Sequence, residues 1–359
     1  MMKIMDYMNK YGHEELVFCS DPQVGLQAII SIHDTTLGPA LGGARMWPYK
    51  SEEEATLDVL RLSRAMTYKA SAAGLNLGGG KAVIIGDPGK DKSVGLFRSL
   101  GKFIESLGGR YITTEDVGTT VSDMQQIYAE TKHVTGLPLG WGASGDPSPP
   151  TAFGVFQGMK ACAEEVFGSG SLKGKTVAIQ GFGKVGSYLA IHLRDEGVKI
   201  IASDVNERAT RRAREEFGAV IVSVDDIYDV ECDIFSPCAL GATLNRRTIP
   251  RLKCRIVAGS ANNQLEEDED GDLLMQRQIL YAPDYVINGG GIINLSLELT
   301  GYKAEAAYTQ VAEIHGTLEK VISLAKAKQI STAKAADSLA QGRIDDAKRS
   351  RTMYSKSPA

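Results

Sequence analysis

The feature that most limits what this chain can fold into lies near its middle. Residues 176–181 (TVAIQG) read as an apolar strand, and residues 184–196 read as a helix ended by Gly197. The two are joined by Gly181-Phe-Gly183-Lys-Val-Gly186. In that context the first glycine permits the tight turn, the second lets a ligand approach the backbone, and the third lets the helix close on the strand. The helix N-terminus then offers free N–H groups and a partial positive charge, which suit a pyrophosphate. The next strand, VKIIASD, ends on Asp204, 18 residues past Gly186. A carboxylate there can accept both hydroxyls of a ribose and repels a 2′-phosphate, so the pattern points to NAD rather than NADP. The alternative for Asp204 is a cap or turn residue. Gly181, Gly183, Lys184, Val185, Gly186 and Asp204 are the expected cofactor contacts.

The alternation continues with a helix at 207–217 and apolar runs at 232–237 (CDIFSP), 254–260 (CRIVAGS) and 285–289 (YVING), all expected to be strands. Near-continuous apolar strands alternating with helices make a parallel sheet covered on both faces. At roughly 150 residues per domain, a chain of 359 residues predicts about two domains. The first holds strands at 26–33, 81–86 and 110–116, and helices from Ser51 and over 95–107. Ser51 with Glu54 forms a capping box. Residues 136–150 (GLPLGWGASGDPSPP) are the best linker, followed by a helix at 151–167; residues 303–327 and 332–349 are helical. The expected fold is α/β with two domains separated by a deep cleft. Residues 1–135 plus 331–359 form an N-terminal α/β domain, and 136–330 form a Rossmann-type dinucleotide-binding domain, with a second chain crossing near 325–332.

Other functions are excluded more simply. The net charge is −4, so nucleic acid is not the expected partner. The basic tail (Lys348, Arg349, Arg351, Lys356) reads as a solvated helix end. Five scattered cysteines without a CxxC pair suggest neither disulfides nor a zinc site, and no metal is expected. A reducing, cytoplasmic setting fits. The N-terminal MMKIMDYMNKYGHEE meets charge too early for a secretory signal, and no run is long enough for a membrane span. There is no HExxH, GxSxG or P-loop, and no histidine falls in a motif.

Glycine is in excess, 39 of 359, and clustered at Gly42-Gly43, Gly78-Gly79-Gly80 and Gly289-Gly290-Gly291. Such knots let backbone approach a ligand closely. Ala55, Val59, Leu62 and Met66 form a stripe whose next position is Lys69. A lysine on an apolar face either snorkels to water or meets an anion. Lys81 follows the glycine triplet at the head of the strand AVII. It is either a catalytic base, since a buried lysine shifts its pKa readily, or a surface lysine at a strand start. Asp116 ends the strand YITTED, where a carboxylate either points into a site or caps a loop. Lysine and aspartate chemistry on a bound dinucleotide implies hydride transfer with proton handling.

The blocks GPALGGARMWPY (38–49), RLSRAMTYKASAAGLNLGGGKAVIIGDP (61–88), YITTEDVGTTVSDM (111–124), CDIFSPCALGATLN (232–245), AGSANNQL (258–265) and YAPDYVINGGGIIN (281–294) resemble the glutamate/leucine/phenylalanine/valine dehydrogenase superfamily, and within it the branched-chain leucine enzymes. The resemblance covers nearly the whole chain. It implies NAD-dependent, reversible oxidative deamination of a branched-chain L-amino acid to the 2-oxo acid and ammonia. It makes Lys69 the partner of the substrate carboxylate, helped by Gly42, Gly43 and Asn262. It makes Lys81 the base that activates water and Asp116 its proton partner. Thr151 and the segment Cys238, Ala239, Leu240 and Gly241 would lie near the nicotinamide, with Asn262 beside the cofactor. The side-chain pocket would be Leu41, Met66, Thr114, Ile292 and Leu295. The leucine enzymes, as the pattern goes, carry Ala at Thr114, Val at Ile292 and Leu295, and Ala at Gly289; all but the last enlarge a wall residue, so this pocket should be tighter, with a branched aliphatic preference (Leu, Ile, Val) shifted toward the smaller valine. A phenylalanine- or valine-specific dehydrogenase and a non-catalytic NAD-binding regulator are the rivals. The resemblance also implies a homo-oligomer, an octamer built from dimers.

Overall fold

The computed structural model describes residues 3–355, and side chains through residue 350. Of the basic tail, the Arg351 side chain and Lys356 lie outside the described residues. Lys348 is not merely solvated, because its ammonium pairs with the buried Asp34 carboxylate at 2.9 Å. The chain divides into two compact units. One is Met1–Gly145 with Leu295–Tyr302 and Ala340–Ala359, and the other is Asp146–Asn294 with Lys303–Leu339.

The first unit is built on a mixed five-stranded sheet. Its strands are β1 (Glu15–Asp21), β2 (Leu26–Asp34), β3 (Ala40–Trp47), β4 (Gly78–Ile85) and β5 (Tyr111–Glu115), in the order β1-β2-β4-β3-β5. β3 is parallel to both β4 and β5, whereas β2 is antiparallel to β1 and β4. The helices are α1 (Ile4–Tyr11), α2 (Glu52–Ala72), α3 (Val94–Ser106) and α4 (Val121–Tyr128). Strand alternation divides the core between two faces. Ile29 and Val83 pack with Met8, Ala55, Val59 and Leu60, while Ile30 and Ile84 pack with Leu96, Phe97, Leu100 and Ile127. The Ser51 hydroxyl accepts from the Glu54 N–H at 3.1 Å and starts α2.

Two expectations for α2 and β4 change. The strand does not begin at Lys81 but three residues earlier, so the glycine triplet is part of β4 and Lys81 pairs with Ser31 in mid-strand. The triplet is there for packing. A Cβ on Gly79 would lie 2.1 Å from the Thr67 nitrogen and 2.6 Å from the Ser63 carbonyl oxygen, so the α2 backbone rests on the β4 backbone. The face of α2 that meets the sheet is accordingly small: Thr56, Ser63, Thr67, Ala70 and Ser71 are buried beside Ala55 and Val59. Leu62, Met66 and Lys69 lie along the half-buried flank instead of on the core stripe.

His33 ties α1 and α2 to β2. Its Nε2–H donates to the Tyr11 carbonyl at 2.9 Å, which leaves Nδ1 to accept from the Thr67 hydroxyl at 2.8 Å. Burial pushes its pKa down to about 4, so it is neutral at pH 7.

The second unit has a six-stranded, all-parallel sheet of β6 (Thr176–Gln180), β7 (Lys199–Ser203), β8 (Val220–Ile221), β9 (Ile234–Pro237), β10 (Ile256–Val257) and β11 (Leu280–Tyr281). The order β11-β10-β9-β6-β7-β8 reverses between β6 and β9, which is the doubly wound arrangement. In such sheets a ligand binds outside the strand C-termini at that reversal. The helices α5 (Ser148–Phe167), α6 (Lys184–Asp195) and α7 (Glu207–Phe217) follow the expected pattern. The run at 285–289 is not a strand. Asp284–Ile287 is a short helix after Pro283, and the last strand is the two-residue β11 before it. Among the described residues, no helix is long and apolar enough to cross a membrane.

Candidate active site

In the first unit, three parallel strands bring the expected chemistry together. Lys81 on β4 is 5% exposed, and its ammonium forms an ion pair with the Asp116 carboxylate. Asp116 leaves the end of β5 in a tight turn. Its N–H donates to the Thr119 hydroxyl at 2.9 Å, and that hydroxyl reaches the Ala44 carbonyl on β3 at 2.8 Å. Gly118 turns the chain at φ +82°, and a Cβ there would sit 2.0 Å from the Met46 carbonyl oxygen. Gly43 makes room for the aspartate, because its Cβ would fall 2.8 Å from the Asp116 Cβ. Gly42 is needed for a different reason: a Cβ would overlap the Gly80 carbonyl of β4.

A residue that the sequence reading passed over completes the group. Arg45, two residues beyond Gly43 on β3, places its Nε 3.3 Å from Asp116 and its Nη1 3.1 Å from Asp58 of α2. The Tyr49 hydroxyl donates to the same Asp58 oxygen at 2.6 Å. Burial alone would raise the Asp116 carboxyl, but Lys81 and Arg45 beside it outweigh burial and hold it below the usual carboxylate range. The available signal was a single charge in the apolar strand ALGGARMW.

Lys69 is half-buried in the last turn of α2. It belongs to the helix that the Thr67–Gly79 contact fixes against β4, the strand that carries Lys81. Leu41, Thr114 and Leu295 are buried and Met66 is half-buried. Thr114 and Leu295 both flank Gly136, whose Cβ would lie 2.7 Å from the Thr114 Oγ1 and 3.6 Å from a Leu295 methyl. The Thr114 hydroxyl is buried without a protein hydrogen-bond partner. Ile292 is buried one turn before Leu295 on the helix Gly290–Ser296.

In the second unit, the three glycines of the β6–α6 turn have separate reasons. Gly181 has φ +93°, and its Cβ would meet the Ala239 Cβ at 2.7 Å. Gly186 would meet the Gly181 carbonyl oxygen at 2.3 Å, so it sets how closely α6 joins the strand. A Cβ on Gly183 would meet nothing within 4 Å, and Gly183 begins α6 with no side-chain cap. That helix end is therefore open for a phosphate to approach. Lys184 is exposed and pairs with Asp146 at 3.6 Å, and Val185 is half-buried.

Asp204 stands directly after β7. Its carboxylate accepts from the Phe182 N–H at 2.7 Å and from the Asn206 N–H at 2.8 Å. It thus fastens the glycine turn, while retaining lone pairs for a ribose. Cys238 follows β9, its thiol 3.4 Å from the Ser236 hydroxyl, with Ala239 against Gly181 and Leu240 exposed. The Thr151 hydroxyl donates to the Pro147 carbonyl at 2.7 Å. Asn262 lies on the exposed loop after β10, and its side-chain Oδ1 accepts from the Asn288 side-chain amide at 2.8 Å. Gly290 and Gly291 serve packing, since their Cβ atoms would strike the Pro150 carbonyl at 2.1 Å and the Thr151 hydroxyl at 2.8 Å. Among the described residues, the one grouping of possible metal ligands is Glu164, His315 and Glu319, two exposed carboxylates flanking a half-buried imidazole.

Comparison with known proteins gives concordant matches. Residues 13–133 match the model of the Glu/Leu/Phe/Val dehydrogenase dimerisation domain, and residues 142–209 and 203–352 match that of the Glutamate/Leucine/Phenylalanine/Valine dehydrogenase family. The chain is 57% identical to a leucine dehydrogenase of Bacillus cereus over 353 residues, covering 98% of this chain and 96% of the relative. It is 49% identical to a phenylalanine dehydrogenase of Lysinibacillus sphaericus, covering 96% and 92%. The crystal structure of L-tryptophan dehydrogenase from Nostoc punctiforme superposes with a TM-score of 0.85 at 44% identity, over 96% of this chain and 99% of that one.

Proposed function

This chain belongs to the glutamate/leucine/phenylalanine/valine dehydrogenase family, an amino acid dehydrogenase by descent, and from that premise we propose that it catalyses the NAD-dependent, reversible oxidative deamination of a branched-chain L-amino acid (leucine, with isoleucine and valine) to the 2-oxo acid and ammonia. The observation that carries the reading is the buried Lys81–Asp116 pair on parallel strands beside the helix bearing Lys69. The higher identity to a leucine than to a phenylalanine dehydrogenase favours the aliphatic substrate.

The open α6 N-terminus at Gly183 and the Asp204 carboxylate fit a dinucleotide, and Asp204 favours NAD by accepting from ribose hydroxyls where NADP carries a phosphate. Gly181, Gly183, Lys184, Val185, Gly186, Asp204, Thr151, the Cys238–Leu240 segment and Asn262 are the proposed contacts. When bound, NAD supplies the hydride acceptor that leaves the substrate as an imine. In this reading the Lys69 ammonium holds the substrate carboxylate, with Gly42, Gly43 and Asn262 contributing. Lys81 takes a proton from the water that adds to the imine carbon. Asp116 receives and returns the proton that the departing amine needs, and ammonia leaves as the carbonyl forms. Leu41, Met66, Thr114, Ile292 and Leu295 are the proposed walls of the side-chain pocket. A cytoplasmic homo-octamer assembled through the N-terminal domain completes the proposal.

The test is NADH production with the purified protein over an amino-acid panel. The expected order places Leu, Ile and Val well above Phe, with NADP poorly used. A clear preference for Phe would reassign the substrate, and no NADH with any amino acid would remove the enzymatic reading.

A further inference from the structure

Asp116 has two cations on it. Lys81 reaches it from β4 and Arg45 from β3, the guanidinium Nε 3.3 Å from the same carboxylate oxygen. Arg45 is itself braced from behind, by Asp58 of α2 at 3.1 Å, and Asp58 is fixed by the Tyr49 hydroxyl at 2.6 Å. The charged and titratable groups around Asp116 are therefore Lys81 of β4, Arg45 of β3, Asp58 of α2, Tyr49 of the segment joining β3 to α2, and Tyr111 of β5. On its outer side the Arg45–Asp58–Tyr49 chain borders a groove of about 400 Å³ that also includes Trp47, Leu57, Arg61 and Val117. Arg45 thus links the Lys81–Asp116 pair to the lining of that groove.

We propose that Arg45 is a positioning residue for the reaction: from β3 it fixes the orientation of the Asp116 carboxylate beside Lys81, so that the carboxylate is placed to receive and return the proton that the departing amine needs. The Asp58–Tyr49 brace sets the guanidinium angle. This rests on the dehydrogenase reading above. The physical reason is a balance. Burial pushes the Asp116 proton on, and two cations push it off. With Arg45 gone, one of these two cations is lost against the same burial, and the carboxyl titrates at higher pH. A residue that only supported the fold would change stability without moving a titration.

The experiment uses the full chain with leucine and NAD. Wild-type activity is measured first, and its absence would remove the dehydrogenase reading and not this inference. Given an active wild type, the pH dependence of kcat is compared for R45Q, R45K and Y49F. For R45Q the acid limb should move up by about one pH unit and kcat should fall ~10- to 100-fold, with KM for leucine and NAD affinity within a few-fold. R45K, which retains charge but not the fork that spans two carboxylates, should keep the wild-type limb and lose less kcat. Y49F should show a smaller loss of kcat than R45Q. Where R45Q is poorly folded, R45A assayed with added guanidinium ion replaces it, and restored kcat with a restored limb supports the proposal. An unchanged acid limb in R45Q, or a loss of kcat that neither lysine nor guanidinium recovers, would overturn it.

Discussion

The β6–α6 turn allows a sharp test, because its glycines are required for different reasons. Consider Gly183→Ala. The backbone there is extended at φ −72°, which any L-residue adopts, and the new methyl meets no protein atom within 4 Å. Folding stability should therefore be unchanged or rise by about 0.4–1 kcal/mol, through the smaller freedom of the unfolded chain. On the proposed cofactor contacts, the methyl occupies the face that a pyrophosphate would approach. Overpacking of that kind costs about 1–3 kcal/mol, so the NAD dissociation constant should rise about 5- to 150-fold. Gly186→Ala should behave in the opposite way. Its methyl would sit 2.3 Å from the Gly181 carbonyl oxygen, which is backbone and cannot turn aside. Stability should fall by about 1–3 kcal/mol or more. The assays are urea unfolding without cofactor and calorimetric NAD titration, on both variants in parallel. Wild-type NAD affinity in Gly183→Ala, or a stability loss there equal to that of Gly186→Ala, would refute the reasoning.

Other predictions follow from the first unit. Lys81→Ala should nearly abolish turnover while NAD titrates as in wild type, whereas Lys69→Ala should act mainly on KM for the amino acid; near-normal activity in Lys81→Ala would remove it as the base. Thr114→Val deletes a buried hydroxyl that has no protein partner and whose burial costs about 1–3 kcal/mol, so melting temperature and kcat/KM for leucine should both rise. A lower melting temperature would show that the hydroxyl is satisfied. His33 has a pKa lowered to about 4 by burial, below the ordinary 6.5 of the unfolded chain. The unfolded state therefore takes up a proton first as pH falls. The stability is fully present above pH 6.5 and is lost progressively toward pH 4, by up to ~3.5 kcal/mol at ~1.4 kcal/mol per unit. Urea midpoints at several pH values for wild type and His33→Gln should show that slope shrinking in the variant.

The second unit was the more legible in sequence. An apolar strand, three spaced glycines and a helix leave few alternatives, and β6, α6, β7 and α7 fall where their patterns place them. The run YVING misled because a short apolar run does not distinguish a buried strand from a helix by periodicity. Pro283 followed by Asp284 was the missed signal, a helix start, with the Asp284 carboxylate accepting from the Tyr285 N–H at 2.7 Å. In the first unit, the glycine triplet reads as clearing space for a ligand, while its space is filled by Asp34 and Gly38 at Gly78, by α2 at Gly79 and by Tyr111 at Gly80. Glycine is a poor strand former, and only tertiary contact puts it in β4. The apolar stripe on α2 pointed slightly the wrong way for the same reason, since a glycine floor accepts Ser63 and Thr67 where a side-chain floor would select larger apolar residues. Lys81 and Asp116 could be found from their positions at strands. Arg45 could not, because its meaning lies in three partners from separate elements.

The bare contact between Gly79 and Thr67 has a consequence for how this protein can change over generations. Elements that meet through side chains drift relative to one another as those side chains are exchanged. Here the helix carrying one lysine and the strand carrying the other meet backbone against backbone, and the side chain at that joint, Thr67, is small. Substitutions at Leu41, Met66, Thr114 or Leu295, the proposed lining, leave that joint between helix and strand untouched. Selection can then trade one amino-acid substrate for another while the proton chemistry is inherited intact.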